Sequence, residues 1–474
     1  MKRRLFIFAI LLLVAGFPLF AQVVVAGDVT TIYTLGNASS DQQLATGTGD
    51  GAYEYQKNGY YAQANLYAFF NPVSYLDGYF KLYATARPGS FYVPLSLQAN
   101  SYQNLLFSFD KFWARVNVFD GLNLNLPVNL YLKTGKYRSQ AQNYQSITKF
   151  GLDYILDLME SDNTFNWEAQ AEYKPMGPDS SVYAAFSSNY QFDEGIQRLY
   201  DDDGGVSPHG QPVLGEYAPQ YMGFLGCRGI NIAGSLLSGE LMYGKNVAAV
   251  YSGNSFGADA RYDLVIVPNT ITVPIGLGFG WFEKNIDVLS HCYNGAVGIG
   301  TFDFRNTTTG SLSGGLRYRG LTNGRPIWLD LNLAGIVTQI EHIYRDPLFI
   351  ASFCVDGEFT YMEKYFLGAG FVAGTLNDAE WKTKSDPKYV PLDSGGYDHT
   401  FTFADNLGYE VYAGLNFQKT SRFVVGYNQN KGIAINYNLE NKPEGQYKYK
   451  LPGTNAGDGI YETGGLYVKF IMSW

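Results

Sequence analysis

Residues 466–474 read Leu466-Tyr467-Val468-Lys469-Phe470-Ile471-Met472-Ser473-Trp474. Leu466, Val468, Phe470, Met472 and Trp474 recur at every second position, which places them on one face of a β-strand, with Lys469 and Ser473 on the other. Such a strand is half-buried. An apolar face that ends on an indole beside the last carboxylate suits lipid better than water. On this stretch alone the alternative is an edge or core strand of a secreted β-sandwich, so the rest of the chain has to discriminate.

The pattern resembles the terminal strand of bacterial outer-membrane β-barrels of porin-like architecture. That resemblance implies that Leu466, Val468, Phe470, Met472 and Trp474 are the signal read by the barrel-assembly machinery, with outer-membrane lipid as the surrounding phase. The start of the chain fits. Lys2, Arg3 and Arg4 precede an apolar run over 5–20, and Ala21 offers a small residue for cleavage, although Leu19, three before the cut, is not small. The expectation is a secretory signal over residues 1–21 and one barrel over 22–474, exported to the bacterial outer membrane.

Beyond residue 20 no apolar stretch approaches the roughly 18 to 20 residues of a membrane-spanning helix. The composition is nevertheless unlike that of a soluble enzyme, with 54 Gly, 39 Tyr, 32 Phe and 6 Trp and only 16% charged residues. Lipid-facing strands and interfacial girdles need aromatics, and tight turns and crowded lumens need glycine. The mean hydropathy of -0.13 fits a chain in which lipid-facing and lumen-facing residues average out. A net charge of -9 argues against nucleic acid as a partner, because phosphate binding needs a basic surface.

The period-two test succeeds along the whole chain. Ala64, Leu66, Ala68 and Phe70 stand opposite Gln63 and Asn65. Phe80, Leu82 and Ala84 oppose Lys81, Thr85 and Arg87; Ala114, Val116 and Val118 oppose Arg115 and Asn117; Val128, Leu130 and Leu132 oppose Asn129 and Lys133. The cleanest run sets Phe165, Trp167, Ala169 and Ala171 against Asn166, Glu168, Gln170 and Glu172. Ile275, Leu277, Phe279 and Trp281 then alternate with glycines, Leu316 and Tyr318 oppose Arg317 and Arg319, and Phe359 and Tyr361 oppose Glu358 and Thr360. A sandwich domain would wet one face in the same way, but such domains stop near ~250 residues, short of what this alternation covers.

Long polar connections at 36–59, 88–103, 139–162 and 193–219 alternate with short ones at 71–78, 120–126 and 175–179, the pattern of outer loops and periplasmic turns. The fold expected is an all-β transmembrane antiparallel up-and-down barrel of about 18–20 strands. Counting inward from the two ends, the long and short connections fall out of phase. An additional strand between about 245 and 325, over 286–293, restores the phase and gives 20 strands; 18 is the alternative. An even closed barrel leaves no unpaired edge in hydrocarbon. A TonB-dependent transporter would need a plug before its first strand, and an autotransporter a passenger; here strands begin near Val29.

Catalytic chemistry is sparse. Gly253-Asn254-Ser255-Phe256-Gly257 matches G-x-S-x-G but leads into a strand, where a nucleophile elbow needs a helix. Asp201, Asp202 and Asp203 read as a solvated loop tip, with calcium binding the lesser alternative. His209, His291, His342 and His399 show no metal spacing, and Cys227, Cys292 and Cys354 read as free thiols, with one oxidised pair as the alternative. No enzyme activity, metal or cofactor is expected.

The leading function is a porin-like channel for passive diffusion of small hydrophilic solutes, since a barrel this wide leaves a wet lumen unless plugged. The alternative is a surface structural or adhesive protein that binds ligands through its long loops. Within the third long connection, Leu152, Ile155, Leu156 and Met159 follow helical spacing while Asp153, Asp157, Glu160 and Asp162 are acidic. By resemblance to general porins this helix folds into the lumen, where its acids face Lys81, Arg87, Arg115 and Lys133 across a constriction. The other reading lays it on the outer crown.

Overall fold

The computed structural model describes residues 22–40, 53–56, 59–87, 104–137, 147–148, 165–177, 179–190, 221–246, 253–283, 304–342, 348–376, 407–418, 421–432 and 461–474. The signal peptide expected over 1–21 lies outside them. Almost every described residue belongs to one antiparallel sheet. Strand β1 is Gln22–Ser40. Tyr53–Gln56 and Gly59–Val73 both pair with β1 in a single register, Asn37 opposite Gln56 and Thr34 opposite Gly59, and together form β2.

The first half continues with β3 Leu76–Arg87, β4 Asn104–Asn117, β5 Val128–Lys136, β6 Phe165–Tyr173, β7 Ser181–Tyr190, β8 Tyr221–Ile232 and β9 Ser235–Asn246. The second half is β10 Gly253–Val267, β11 Ile271–Glu283, β12 Phe304–Thr322, β13 Arg325–His342, β14 Leu348–Tyr361, β15 Tyr365–Leu376, β16 Leu407–Gln418, β17 Ser421–Gly432 and β18 Tyr461–Ser473. Each strand pairs with its sequence neighbours, and β18 returns to β1 from Asp28 opposite Ser473 to Ser40 opposite Tyr461. The sheet is a closed barrel of 18 strands. Closure satisfies every edge, which is the condition for a sheet in hydrocarbon. Among the described residues no helix is long and apolar enough to cross a membrane, and the one helix, Val118–Gly121, sits in the turn between β4 and β5.

The count of 20 is corrected to 18. The additional strand expected over 286–293 lies outside the described residues, and β11 is hydrogen-bonded directly to β12 from Glu283 opposite Asn306 to Ile271 opposite Tyr318, so no strand stands between them. The mismatch in phase came from connection length. The links at 247–252 and 343–347 join strands at the same end of the barrel as 139–162, yet they are short. Length alone does not report the side of the membrane. Strand β1 also begins at Gln22, seven residues before Val29.

The alternation read from the sequence is the wall of the barrel. Trp167 is 49% exposed on the outside while its neighbour Asn166, at 4%, points inward. Leu225, Leu241, Leu277, Leu333, Val355 and Val411 are exposed on the outer face, which is an apolar belt without charges among the described residues of these strands' middles. On the outer face, rings meet towards both ends of the strands: Trp167 meets Phe186 at 5.6 Å and Phe186 meets Tyr221 at 6.3 Å on the long-connection side, and Phe417 meets Phe470 at 6.4 Å on the short-turn side, between ring centroids. Such rings sit where headgroups meet hydrocarbon. The terminal strand behaves as read: Leu466, Val468, Met472 and Trp474 are exposed outward, Phe470 lies on the same face, and Tyr467 and Lys469 point in.

Inside, three tyrosines are each matched by a glycine on the next strand. The rings of Tyr183, Tyr412 and Tyr467 cover Gly226, Gly368 and Gly426 on the neighbouring strands so closely that a Cβ at any of these glycines would enter the ring. Glycine opposite an aromatic lets the ring lie along the wall, where it takes up less of the lumen.

Candidate pore lining

Inward residues differ along the axis. Towards the long-connection end, Glu168, Ser187, Glu240, Asp259, Thr309, Ser352 and Asn428 are buried, along with the apolar Met222, Phe224 and Met242. Towards the short-turn end, Tyr67, Arg317, Glu358 and Lys469 are only half-buried, as are Trp113, Lys133 and Arg261 nearer the middle of the wall. Among the described residues the lumen thus has a charged, half-buried part and a layer of closely covered side chains. Ile147 and Thr148, from the connection between β5 and β6, lie in that covered layer at 3% exposure each. The Arg317 Nη2 on β12 donates 3.2 Å to the Ile147 carbonyl, and a Cβ at Gly276 on β11 would stand 3.1 Å from Ile147 Cδ1. Since β11 and β12 are six strands from β5 and β6, this dipeptide reaches across to a different wall.

The polar side chains of the half-buried part are held in pairs. Arg115 grips Asp77 with Nε at 3.0 Å from Oδ1 and Nη2 at 2.5 Å from Oδ2, a bidentate fork. Asp330 takes Arg319 at 2.9 Å and Arg317 at 3.3 Å. Arg261 meets Asp263 at 2.8 Å. On β14 and β17, Glu358 pairs with Arg422 at 2.5 Å and accepts the Tyr412 hydroxyl at 3.0 Å, while the guanidinium lies 3.8 Å over the Phe366 ring.

Charge is also unevenly distributed around the wall. Lys81, Lys111, Arg115 and Lys133 line β3 to β5 with Asp77 among them, whereas Glu168, Glu172, Glu240, Asp259 and Asp263 line β6 to β10 with Arg261 among them. Opposite charges on adjacent arcs of a low-dielectric tube set a field across it. Tyr183 donates to Glu240, and Asp28 accepts Asn65 Nδ2 at 2.8 Å and the Tyr67 hydroxyl.

Of the cations read as constriction residues, Lys81, Arg115 and Lys133 do come together on one inner wall, Arg115 directly opposite Lys133. Arg87 ends β3 opposite Asn104, with its side chain outside the described set. Asp153, Asp157, Glu160 and Asp162 lie outside the described residues. Neither Cys227 nor Cys354 is in a disulfide, and Cys292 lies outside the described residues. Residues 253–257 lie wholly in β10, so no nucleophile elbow forms. Among the described residues no group of acids, histidines and cysteines is placed to hold a metal.

Sequence reading missed the acids of the wall. Glu168 stands directly opposite Lys133, and Glu240 opposite Asp259. Their inward parity was visible, but their cross-strand partners were not.

These features define a closed, 18-stranded antiparallel β-barrel with an apolar exterior and a polar interior, the build of a barrel that sits in a membrane. No protein-family model matches the chain, and no curated protein matches it either. Among solved structures, it is similar to OprB of Pseudomonas putida at 13% identity, with a TM-score of 0.38 over 95% of this chain and 94% of that one. The outer membrane channel DcaP of Acinetobacter baumannii aligns at 10% identity and a TM-score of 0.36, over 95% of this chain and 97% of that one. The outer membrane protein OmpT of Vibrio cholerae, in its trimer form, aligns at 10% identity and 0.34, over 95% and 99%. The class rests on the closure and facing of this chain's own strands.

Proposed function

We propose that this barrel is an outer-membrane channel for passive diffusion of small hydrophilic solutes. The observation that carries the reading is the reversal of polarity across the wall, an apolar outer face and an inner face of ion pairs, amides and hydroxyls, in a tube of 18 strands. Barrels of that size enclose an aqueous passage when nothing plugs them. The reading is a non-enzymatic one.

In this reading the connection 139–162 narrows the passage. Ile147 and Thr148, buried inside and tied to Arg317, support it. Asp153, Asp157, Glu160 and Asp162 would then face Lys81, Arg87, Arg115 and Lys133, and solutes would be sorted by charge and dipole. Export through a cleaved leader and insertion by the barrel-assembly machinery belong to the same proposal.

A second reading, a structural or adhesive barrel with a filled lumen, is favoured by the buried inward layer. Planar-bilayer conductance separates the two. Stable single-channel steps are expected of the channel; their absence from a folded, inserted barrel overturns it in favour of the filled one.

A further inference from the structure

The inner wall of β2 to β5 carries aromatic rings and cations in a checkerboard. Along β3 Tyr79 and Lys81, along β4 Trp113 and Arg115, and along β5 Tyr131 and Lys133 are each two residues apart, so ring and cation share the lumenal face of every strand. Cross-strand registry then sets Tyr79 opposite Trp113, Tyr67 opposite Lys81 and Arg115 opposite Lys133. Rings therefore join across strands. Tyr67 and Tyr79 stand 6.4 Å apart and Tyr79 and Trp113 5.9 Å apart between centroids, both pairs inclined by only 28°.

The cations lean over these rings. Lys133 Nζ lies 4.8 Å from the Trp113 centroid and 3.9 Å from that of Tyr137, while Arg115 Cζ lies 4.8 Å over Tyr131. Trp113, with Tyr79 beside it and Lys133 and Arg115 over its ring, has no side chain beside it on the β5 side. Its cross-strand partner is Gly135, whose φ of 138° belongs to glycine and whose position leaves no side chain against the indole. Unlike the covered layer, Tyr67, Tyr79, Lys81, Trp113, Arg115 and Lys133 are all half-buried, and so within reach of a solute in the lumen.

We propose that this wall is a binding platform for organic anions whose charge is carried on a flat ring, with aromatic carboxylates as the chemical class. The ring of such a solute stacks on the Tyr79 and Trp113 faces. Its carboxylate meets the ammonium of Lys133, held over Trp113, or that of Lys81, held over the neighbouring Tyr67. Neither half of the ligand suffices: an alkyl carboxylate loses the stacking, and a neutral ring loses the charge-assisted hydrogen bond. As a step in permeation the platform rests on the channel reading, but as a binding site it does not.

The test is calorimetric titration of the full barrel in detergent with sodium benzoate, acetate and benzyl alcohol, alongside bilayer recordings with the same three probes. Benzoate is expected to bind about tenfold more tightly than either of the others, and Trp113→Ala and the shape-conserving Lys133→Gln each to weaken it by about fivefold or more. The lipid-facing Val411→Ala leaves benzoate affinity unchanged. Equal binding of all three probes, or no loss in folded Lys133→Gln, overturns the platform. Conductance steps with no benzoate preference overturn it while leaving the channel reading in place. A benzoate preference in a barrel that does not conduct upholds the platform and sinks the channel reading.

Discussion

The Trp474 indole closes over Gly27. A Cβ at Gly27 would stand 2.7 Å from Cε2 of that ring, and the two backbones exchange hydrogen bonds, Gly27 N–H to the Trp474 carbonyl at 3.2 Å and Trp474 N–H to the Gly27 carbonyl at 3.0 Å. The last residue of the chain thus completes the seam between β1 and β18. Substituting Gly27→Val should cost about 1 to 3 kcal/mol through overpacking, lowering the heat at which the compact band unfolds on electrophoresis. In the cell, Trp474→Asp should cut the amount of barrel reaching the outer membrane; unchanged surface levels would refute the terminal-signal proposal.

The two faces of the wall should respond differently to charge. Leu333→Arg, on the apolar exterior, is expected to destabilise the barrel by about 2 to 4 kcal/mol if it lies near the bilayer midplane. Gln170→Arg, half-buried on the lumenal face, should stay within about 0.5 kcal/mol. Urea unfolding in lipid vesicles measures both, and equal costs would contradict the facing described here.

Glu358 and Arg422 form a partly screened pair, each side chain 24% exposed. Losing the arginine leaves Glu358 with the Tyr412 hydroxyl, so Arg422→Gln should cost about 1 to 2 kcal/mol. The double variant with Glu358→Gln should recover part of that loss. A double-mutant cycle reads the coupling, and strict additivity would mean that the pair contributes nothing.

The third long connection can be tested by charge reversal. Asp153→Lys with Asp157→Lys should move the reversal potential towards anion selectivity if the segment lines the pore, and Arg317→Ala should raise conductance by loosening the contact to Ile147. Unchanged current in both variants would place the segment on the outer crown.

The facing of nearly every described strand was legible in the sequence because side-chain direction in a strand is a local property: parity alone separates Trp167 from Asn166 and Tyr318 from Arg317. Closure was legible too, since a chain of alternating strands without a buried second layer has no other way to satisfy its edges in lipid. The number of strands was not, because the short links at 247–252 and 343–347, at the same end of the barrel as the long connections, look like turns of the other end. Nor was the company each charge keeps. Whether Lys133 meets Glu168 or Arg115 meets Asp77 depends on register between strands, and a shift such as the one between Lys81 and Leu82 moves every pair beyond it. Those registers are fixed by the backbone ladder around the whole ring. Residues 466–474 show which side chains face lipid; only the closed tertiary structure brings Trp474 onto Gly27, residues at opposite ends of the chain.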